Sequence, residues 1–313
     1  MHVAVLEEAA VNALNVRQDG IYLDATYGRG SHAARIVKGL GDDGRLIVLD
    51  VDPEAIEHAR RQFADDPRVA IERRNFRELD SVVSEQVGER GVDGILMDLG
   101  VSSPQLDDAG RGFSFRHDGP LDMRMDPDQG IPAADWLADV DEDTLVRVLF
   151  EFGEERHARR IARSIVGARA QAPIRTTAAL AAIIEQAVPA ASRRQQRIHP
   201  ATRSFQAIRI AVNHELEALD DALEAAIGAL APGGRLAVIS FHSLEDRRVK
   251  RAIRAASSPP PASRRRPVES DFTPRLHVVG KPVTPSSAEI EANPRARSAR
   301  LRVAERPLSG AVA

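Results

Sequence analysis

Residues 20–32, GIYLDATYGRGSH, decide how the rest of the chain is read. Ile21, Tyr22 and Leu23 form a short apolar run that Asp24 closes, and Gly28 and Gly30 follow just before a helical pattern starting near Ser31. This is the signature of a buried strand, a loop and a helix N-terminus, the place where open α/β sheets bind their ligands. Glycines at such a turn let the backbone come closer to a ligand than side chains would allow.

Outward from this stretch the same alternation repeats. His32–Leu40 reads as a helix, and Arg45–Asp50 (RLIVLD) as a second strand that again ends in acid. Pro53 opens the helix EAIEHARRQF at a position that tolerates proline. Val69–Ile71 is a third strand, Asn75–Gly88 a helix, and Val92–Asp98 a fourth strand ending in acid and glycine. Strand and helix in turn predict an α/β fold, a parallel sheet with helices on both faces. From Ser102 to about Arg203 the alternation stops. A polar loop, Pro104–Gly130, leads into helices near Ala133–Leu137, Asp141–Phe152, Glu154–Ala170 and Thr177–Val188, which predict an inserted helical subdomain. One long helix is then expected over Phe205–Leu230, followed by the turn Ala231–Gly234, the strand Arg235–Ser240 and the basic helix Leu244–Ala256. Ser257–Thr273 is low in complexity and expected to be mobile. Leu276–Val279 and Ala299–Val303 are candidate closing strands.

The 313 residues, 43% hydrophobic, suffice for one large domain or two smaller ones. No run approaches the roughly 18 apolar residues of a membrane span, and the start MHVAVLEEAAVNAL carries no secretory pattern. Cysteine is absent, which excludes disulfides and thiolate chemistry, and the nine histidines lack ligand spacing, so no metal site is expected. Cytoplasmic residence is the simplest expectation. The net charge of −3 hides segregation: Arg156–Arg209 holds 11 Arg against Glu185 alone, and the residues from Arg247 onward carry a net charge of +10. Two basic blocks on an otherwise acidic chain are either solvated surface or the footprint of a polyanionic partner.

Gly28-Arg-Gly30-Ser-His-Ala33 with Asp50 matches a dinucleotide fingerprint, but an acid at the second strand end also suits the ribose of S-adenosyl-methionine. A diphosphate prefers a helix N-terminus without a neighbouring acid. Asp24 stands directly before this loop, which suits a cofactor with cationic ends, as S-adenosyl-methionine has. Asp98, opening DLGVSSPQLD, is placed either to hold that cofactor or to accept the N–H of an amine being methylated. Phe113 and Phe115 either stack an extruded base or pin their loop to the core. Arg156, Arg159, Arg160 and Arg163 recur at helical spacing, and with Arg193, Arg194 and Arg197 they are candidate phosphate contacts.

Taken together, HVAVLEEA, GIYLDATYGRGSH, DGILMDLGVSSPQLDDAGRGFSFRHDGPLDMRMD, FGEERHARRIARSIV, HPATRSFQAIRIAVNHEL, LAPGGRLAVISFHSLEDRRVKR and NPRARSARLRVAER carry a resemblance that spans nearly the whole chain. The sequence resembles the bacterial 16S ribosomal RNA (cytosine-N4) methyltransferase family. The resemblance implies a class I S-adenosyl-methionine-dependent methyltransferase with a Rossmann-like sheet. Its methyltransferase parts would be residues 1–103 and 205–313, and residues 104–204 would form an inserted helical substrate-recognition subdomain. It also implies methyl transfer to N4 of a specific cytidine in the decoding region of 16S RNA, presented within the small subunit or a late assembly particle. Cofactor contacts would fall on Gly30, Ser31, His32, Asp50, Phe76, Asp98 and Gln105. Ser31 stands where the family has glycine, which puts close backbone approach there in question. The rival readings are a nicotinamide oxidoreductase and a non-catalytic RNA-binding assembly factor.

Overall fold

The computed structural model describes residues 4–195, 198–259 and 272–308. These divide into two compact units, one made of residues up to Gly100 together with those from Leu216 onward, the other of Val101–Glu215. In chain order the first unit begins with α1 (Glu7–Leu14), β1 (Ile21–Asp24), α2 (Ser31–Gly39), β2 (Arg45–Asp50) and α3 (Pro53–Gln62). It continues with β3 (Val69–Arg73), α4 (Leu79–Gln86) and β4 (Val92–Asp98). The second unit holds α5 (Ser103–Asp107), α6 (Ala133–Asp139), α7 (Glu142–Glu151), α8 (Ala158–Arg169), α9 (Thr177–Ala187), α10 (Ala190–Gln195) and α11 (Thr202–Asn213). The chain then returns through α12 (Glu215–Ala229), β5 (Leu230–Ser240), α13 (Ser243–Ser257), β6 (His277–Val278), α14 (Ser287–Ala292) and β7 (Arg300–Glu305).

The seven strands order as β3-β2-β1-β4-β5-β7-β6, with β1 to β5 parallel and β7 antiparallel to both neighbours. This is the Rossmann-like, mostly parallel sheet that the resemblance implies. Its strands alternate strictly between two cores, as the two-residue side-chain period requires. Ile21, Leu23, Ile47, Leu49, Ile95, Met97, Leu236 and Val238 pack with α4, α12 and α13. Tyr22, Leu46, Val48, Leu96, Ala237 and Ile239 pack with α1, α2 and α3 on the other side. Burial on both faces is why β1, β2 and β4 read as apolar runs rather than as alternation. Consequently every parallel strand from β1 to β4 ends at the same edge of the sheet, and the loops there can form one site.

The helix expected over Phe205–Leu230 is two helices. His214 adopts a left-handed conformation (φ 50°) and caps α11, and α12 starts at Glu215. Asn213 holds the break: its amide nitrogen donates to the Met123 and Arg209 carbonyls and its oxygen accepts from Met125 N–H at 2.7 Å. Asn and His tolerate such turns better than most residues. The expected turn at Ala231–Gly234 belongs to β5, as an excursion that shifts its register on β4 between Val92↔Leu230 and Gly94↔Arg235. Helix α8 begins at Ala158 rather than Glu154, which sits at φ 49°. The closing strands are β6 and β7. Residues 260–271, most of the stretch expected to be mobile, and Arg197 lie outside the described residues.

Candidate active site

Three adjacent strands, β2, β1 and β4, each end on an aspartate: Asp50, Asp24 and Asp98. The loop after β1 is stitched across them. Ala25 N–H donates to the Leu96 carbonyl and Tyr27 N–H to that of Leu49, both at 2.9 Å. Asp50 accepts from Gly28 N–H at 2.8 Å and from Asp52 N–H at 2.9 Å. Thr26 joins the other two tips: its N–H donates to Asp24 Oδ1 at 3.2 Å, and its hydroxyl accepts from Asp98 N–H at 2.6 Å. Gly30 then enters α2 at φ 71°, where a Cβ would lie 2.5 Å from the Tyr27 ring. That ring is fixed by its hydroxyl, which bonds His58 Nδ1 at 2.7 Å and Gln62 Oε1 at 2.9 Å. Gly30 is therefore required by the tyrosine beneath it as well as by its own backbone conformation. Ser31 is the first helical residue, half-buried, and among the described residues no side chain caps the N-terminus of α2.

The electrostatics of these tips are unusual because burial is not matched by compensating charge. Asp24 is 1% exposed and its Oδ2 has no partner among the described residues. Burial, with the neighbouring Asp50 adding to it, pushes its carboxyl up to about 7. Burial likewise raises Asp50 to about 6, against the backbone N–H groups that stabilise its charge. Asp98 is raised well above the usual carboxylate range by burial, then by Asp24 and Glu245, and its Oδ1 is enclosed without a partner among the described residues. A quarter of its side-chain surface nevertheless stays open. His32 Nδ1 lies 3.8 Å from Asp98 Oδ2, but burial lowers this imidazole to about 4, so it brings no positive charge at neutral pH. A dinucleotide diphosphate would meet three carboxylates at the ends of β2, β1 and β4. A ligand bearing a sulfonium and an ammonium supplies the charge the site lacks, so these residues fit S-adenosyl-methionine.

Sequence reasoning overlooked a fourth acid. Glu245, in the SFHSLEDR stretch at the end of β5, is 3% exposed. Its Oε2 accepts from the N–H groups of Phe241 (2.7 Å) and His242 (3.3 Å), and its own N–H donates to His242 Nδ1, a capping box that starts α13. His242 Nε2 lies 3.1 Å from Glu245 Oε1 in a geometry that makes no hydrogen bond. The spacing His-x-x-Glu carried the cap signal. Phe76 opens a short turn just after β3, set by Asn75, whose side chain accepts from Arg77 N–H at 3.0 Å. It is half-buried against the core.

The remaining candidates belong to the helical unit. Gln105 is buried there and its side-chain oxygen accepts from Ser102 N–H at 2.9 Å, in a second capping box. It thus has a structural task that the sequence reading did not assign. Phe113 is 6% exposed in the helical core, so its suggested role in stacking a base is corrected to anchoring the loop. Phe115 is half-buried, packed at 4.6 Å on the His199 ring and edge-on at 4.8 Å to Phe205. Arg159, Arg160 and Arg163 are exposed on α8, opposite its buried face of Ala158, Ile161, Ala162 and Ile165. Arg156 is exposed too, but precedes the helix, so the expected stripe of four is three. Arg163 reaches Glu142 at 3.9 Å.

The sequence profile of the MraW methylase family matches residues 1–307. A protein of Thioalkalivibrio sulfidiphilus named ribosomal RNA small subunit methyltransferase H is 57% identical over 308 residues, covering 97% of each chain. Proteins of the same name from Halorhodospira halophila (57% identity, 97% of this chain and 94% of that one) and Xanthomonas euvesicatoria (54%, 97% and 88%) are similar throughout.

Proposed function

The chain belongs to the MraW methylase family, and from that premise we propose that it methylates N4 of one cytidine in the decoding region of 16S ribosomal RNA. The methyl donor is S-adenosyl-methionine. The observation that carries the reading is the set of three aspartates ending β2, β1 and β4 around a glycine loop, with Asp24 Oδ2 and Asp98 Oδ1 enclosed and without partners among the described residues, in a chain related throughout to small-subunit RNA methyltransferases.

When bound, S-adenosyl-methionine supplies a methyl group made electrophilic by its sulfonium. Asp24 and Asp98 ionise against that positive charge and hold it at the strand tips, while Asp50 takes the ribose hydroxyls and Phe76 flanks the adenine. Gly30, Ser31 and His32 line the loop side. The exocyclic amine of cytosine is a weak nucleophile because its lone pair is delocalised into the ring. Asp98 would accept a hydrogen bond from one of its N–H groups, leave the nitrogen lone pair more available, and take the proton that the amine gives up on methylation. Most of the acceleration comes from aligning amine and methyl, an effect worth about 7–11 kcal/mol in well-oriented systems. The exposed arginines of α8 and Phe115 are the helical unit's contacts with RNA, in the small subunit or a late assembly particle.

The test is transfer of labelled methyl from S-adenosyl-methionine to small-subunit particles, followed by mass mapping of the RNA. A single N4-methylcytidine in the decoding region is expected. Label on another atom or another region refutes the target, and absence of label leaves the assembly-factor alternative.

A further inference from the structure

Most described arginines of the first unit are held by carboxylates, among them Arg68 by Asp66, Arg74 by Glu85, Arg77 by Asp221, Arg235 by Glu305, Arg248 by Asp220 and Arg275 by Glu224. Among the described cations without such a partner, three gather at one groove. At the β6 edge of the sheet, α13, β7 and the loop after β6 enclose a groove of about 390 Å³ lined by Lys250, Arg254, Lys281 and Arg302, with Val278 and Pro282 beside them. No carboxylate is among the described residues that line it. Arg302 is neutralised by Asp246 at 2.7 Å, but Lys250, Arg254 and Lys281 are exposed and have no ion-pair partner among the described residues. Arg254 lies in the last turn of α13, where the helix carbonyls favour a cation. That accounts neither for Lys250, one turn earlier, nor for Lys281, which arrives from a separate loop. Val278, 60% exposed, adds an apolar wall.

We propose that this groove is a second RNA contact, in which Lys250, Arg254 and Lys281 each bind a phosphodiester of the substrate strand. The proposal rests on the RNA reading above. Lys250 and Arg254 are four residues apart on one helix face, which sets their Cβ atoms about 6 Å apart and lets them hold adjoining phosphates of one strand. Lys281 extends the track across the groove. Val278 and Pro282 offer an apolar surface to the sugar between phosphates.

The experiment compares the wild type with a K250Q/R254Q/K281Q variant and with a K38Q/R45Q/R60Q control. The control loses the same charge from exposed residues of α2, β2 and α3, at the other end of the strand order. Binding of a fluorescein-labelled oligouridylate is followed between 50 and 200 mM salt by anisotropy, with S-adenosyl-methionine affinity and thermal unfolding as checks on the fold. Three lost phosphate contacts at about 0.7 per contact for a single strand reduce the salt slope by about 2. The wild type and the control should therefore lose about 20-fold more affinity across this range than the groove variant. Equal slopes in all three proteins, with folding intact, overturn the groove while leaving methylation of RNA by the wild type untouched. A variant that keeps its RNA affinity but loses wild-type affinity for polyglutamate also overturns it, in favour of an acidic protein partner. If the wild type neither binds the oligonucleotide nor methylates small-subunit RNA, the functional reading itself fails, and the groove proposal with it.

Discussion

Asp24→Asn tests the charge imbalance at the strand tips, and its effects on stability and on binding should run in opposite directions. In the ligand-free protein burial raises the Asp24 carboxyl from 3.8 to about 7. A carboxyl whose folded pKa is raised contributes stability below its unfolded pKa and loses it as pH climbs through the folded value. The interval between 3.8 and about 7 corresponds to about 4 kcal/mol at 1.36 kcal/mol per pH unit. Asparagine has nearly the same shape and never ionises. The ligand-free variant should therefore gain stability relative to wild type as pH rises from 4 to 7, by up to about 4 kcal/mol, and the difference should then level off. Denaturant unfolding at a series of pH values measures it. Donor binding should show the converse. Below pH 7 the wild type must release a proton to bind the cationic donor, so its affinity should weaken about tenfold per pH unit from this group alone. The variant should lack that component and bind more weakly at pH 8. Calorimetry in two buffers of different ionisation enthalpy counts the protons directly. A stability difference that does not change with pH, or equal proton release by both proteins, would show that Asp24 is not the uncompensated acid of this site.

Asp98→Asn should lower transfer to RNA about 10²–10⁴-fold, the range of a lost general base, with donor affinity and unfolding showing that the fold persists; unimpaired turnover would remove Asp98 from proton transfer. Gly30→Ala places a methyl against the Tyr27 ring at φ 71°, and should destabilise the protein by at least about 1–2 kcal/mol in urea unfolding. Arg159→Gln with Arg160→Gln, exposed residues of α8 without ion-pair partners among the described residues, should lower the salt slope of RNA binding by about 1.4 and leave donor affinity unchanged. An unchanged slope would mean that this face does not meet phosphate.

The parallel core was legible in the sequence because a strand buried on both faces must be apolar throughout, and each such run here ends on an acid or glycine. The aspartates at the tips could be read for the same reason. What escaped were features fixed by contacts distant in sequence. Thr26 matters because Asp98 N–H finds its hydroxyl across the sheet, and Gly30 because Tyr27 turns beneath it. The division between α11 and α12 was hidden because the apolar period continues through it, while the cause is Asn213 bonding to a loop some 90 residues earlier. The capping boxes at Ser102 and His242 are visible in the sequence as the spacings Ser-x-x-Gln and His-x-x-Glu.

The strand order β5-β7-β6 also has a temporal side. β5 ends at Ser240, and the strand that covers its open edge begins only at Arg300. During synthesis that edge must wait for about sixty further residues, several seconds at about 5–20 residues per second. β6, made earlier than β7, has no neighbour until β7 slots between them. A ribosome that stalls in this interval, or a message truncated there, would release a chain whose central sheet displays an unsatisfied row of backbone groups, a template for pairing with other chains.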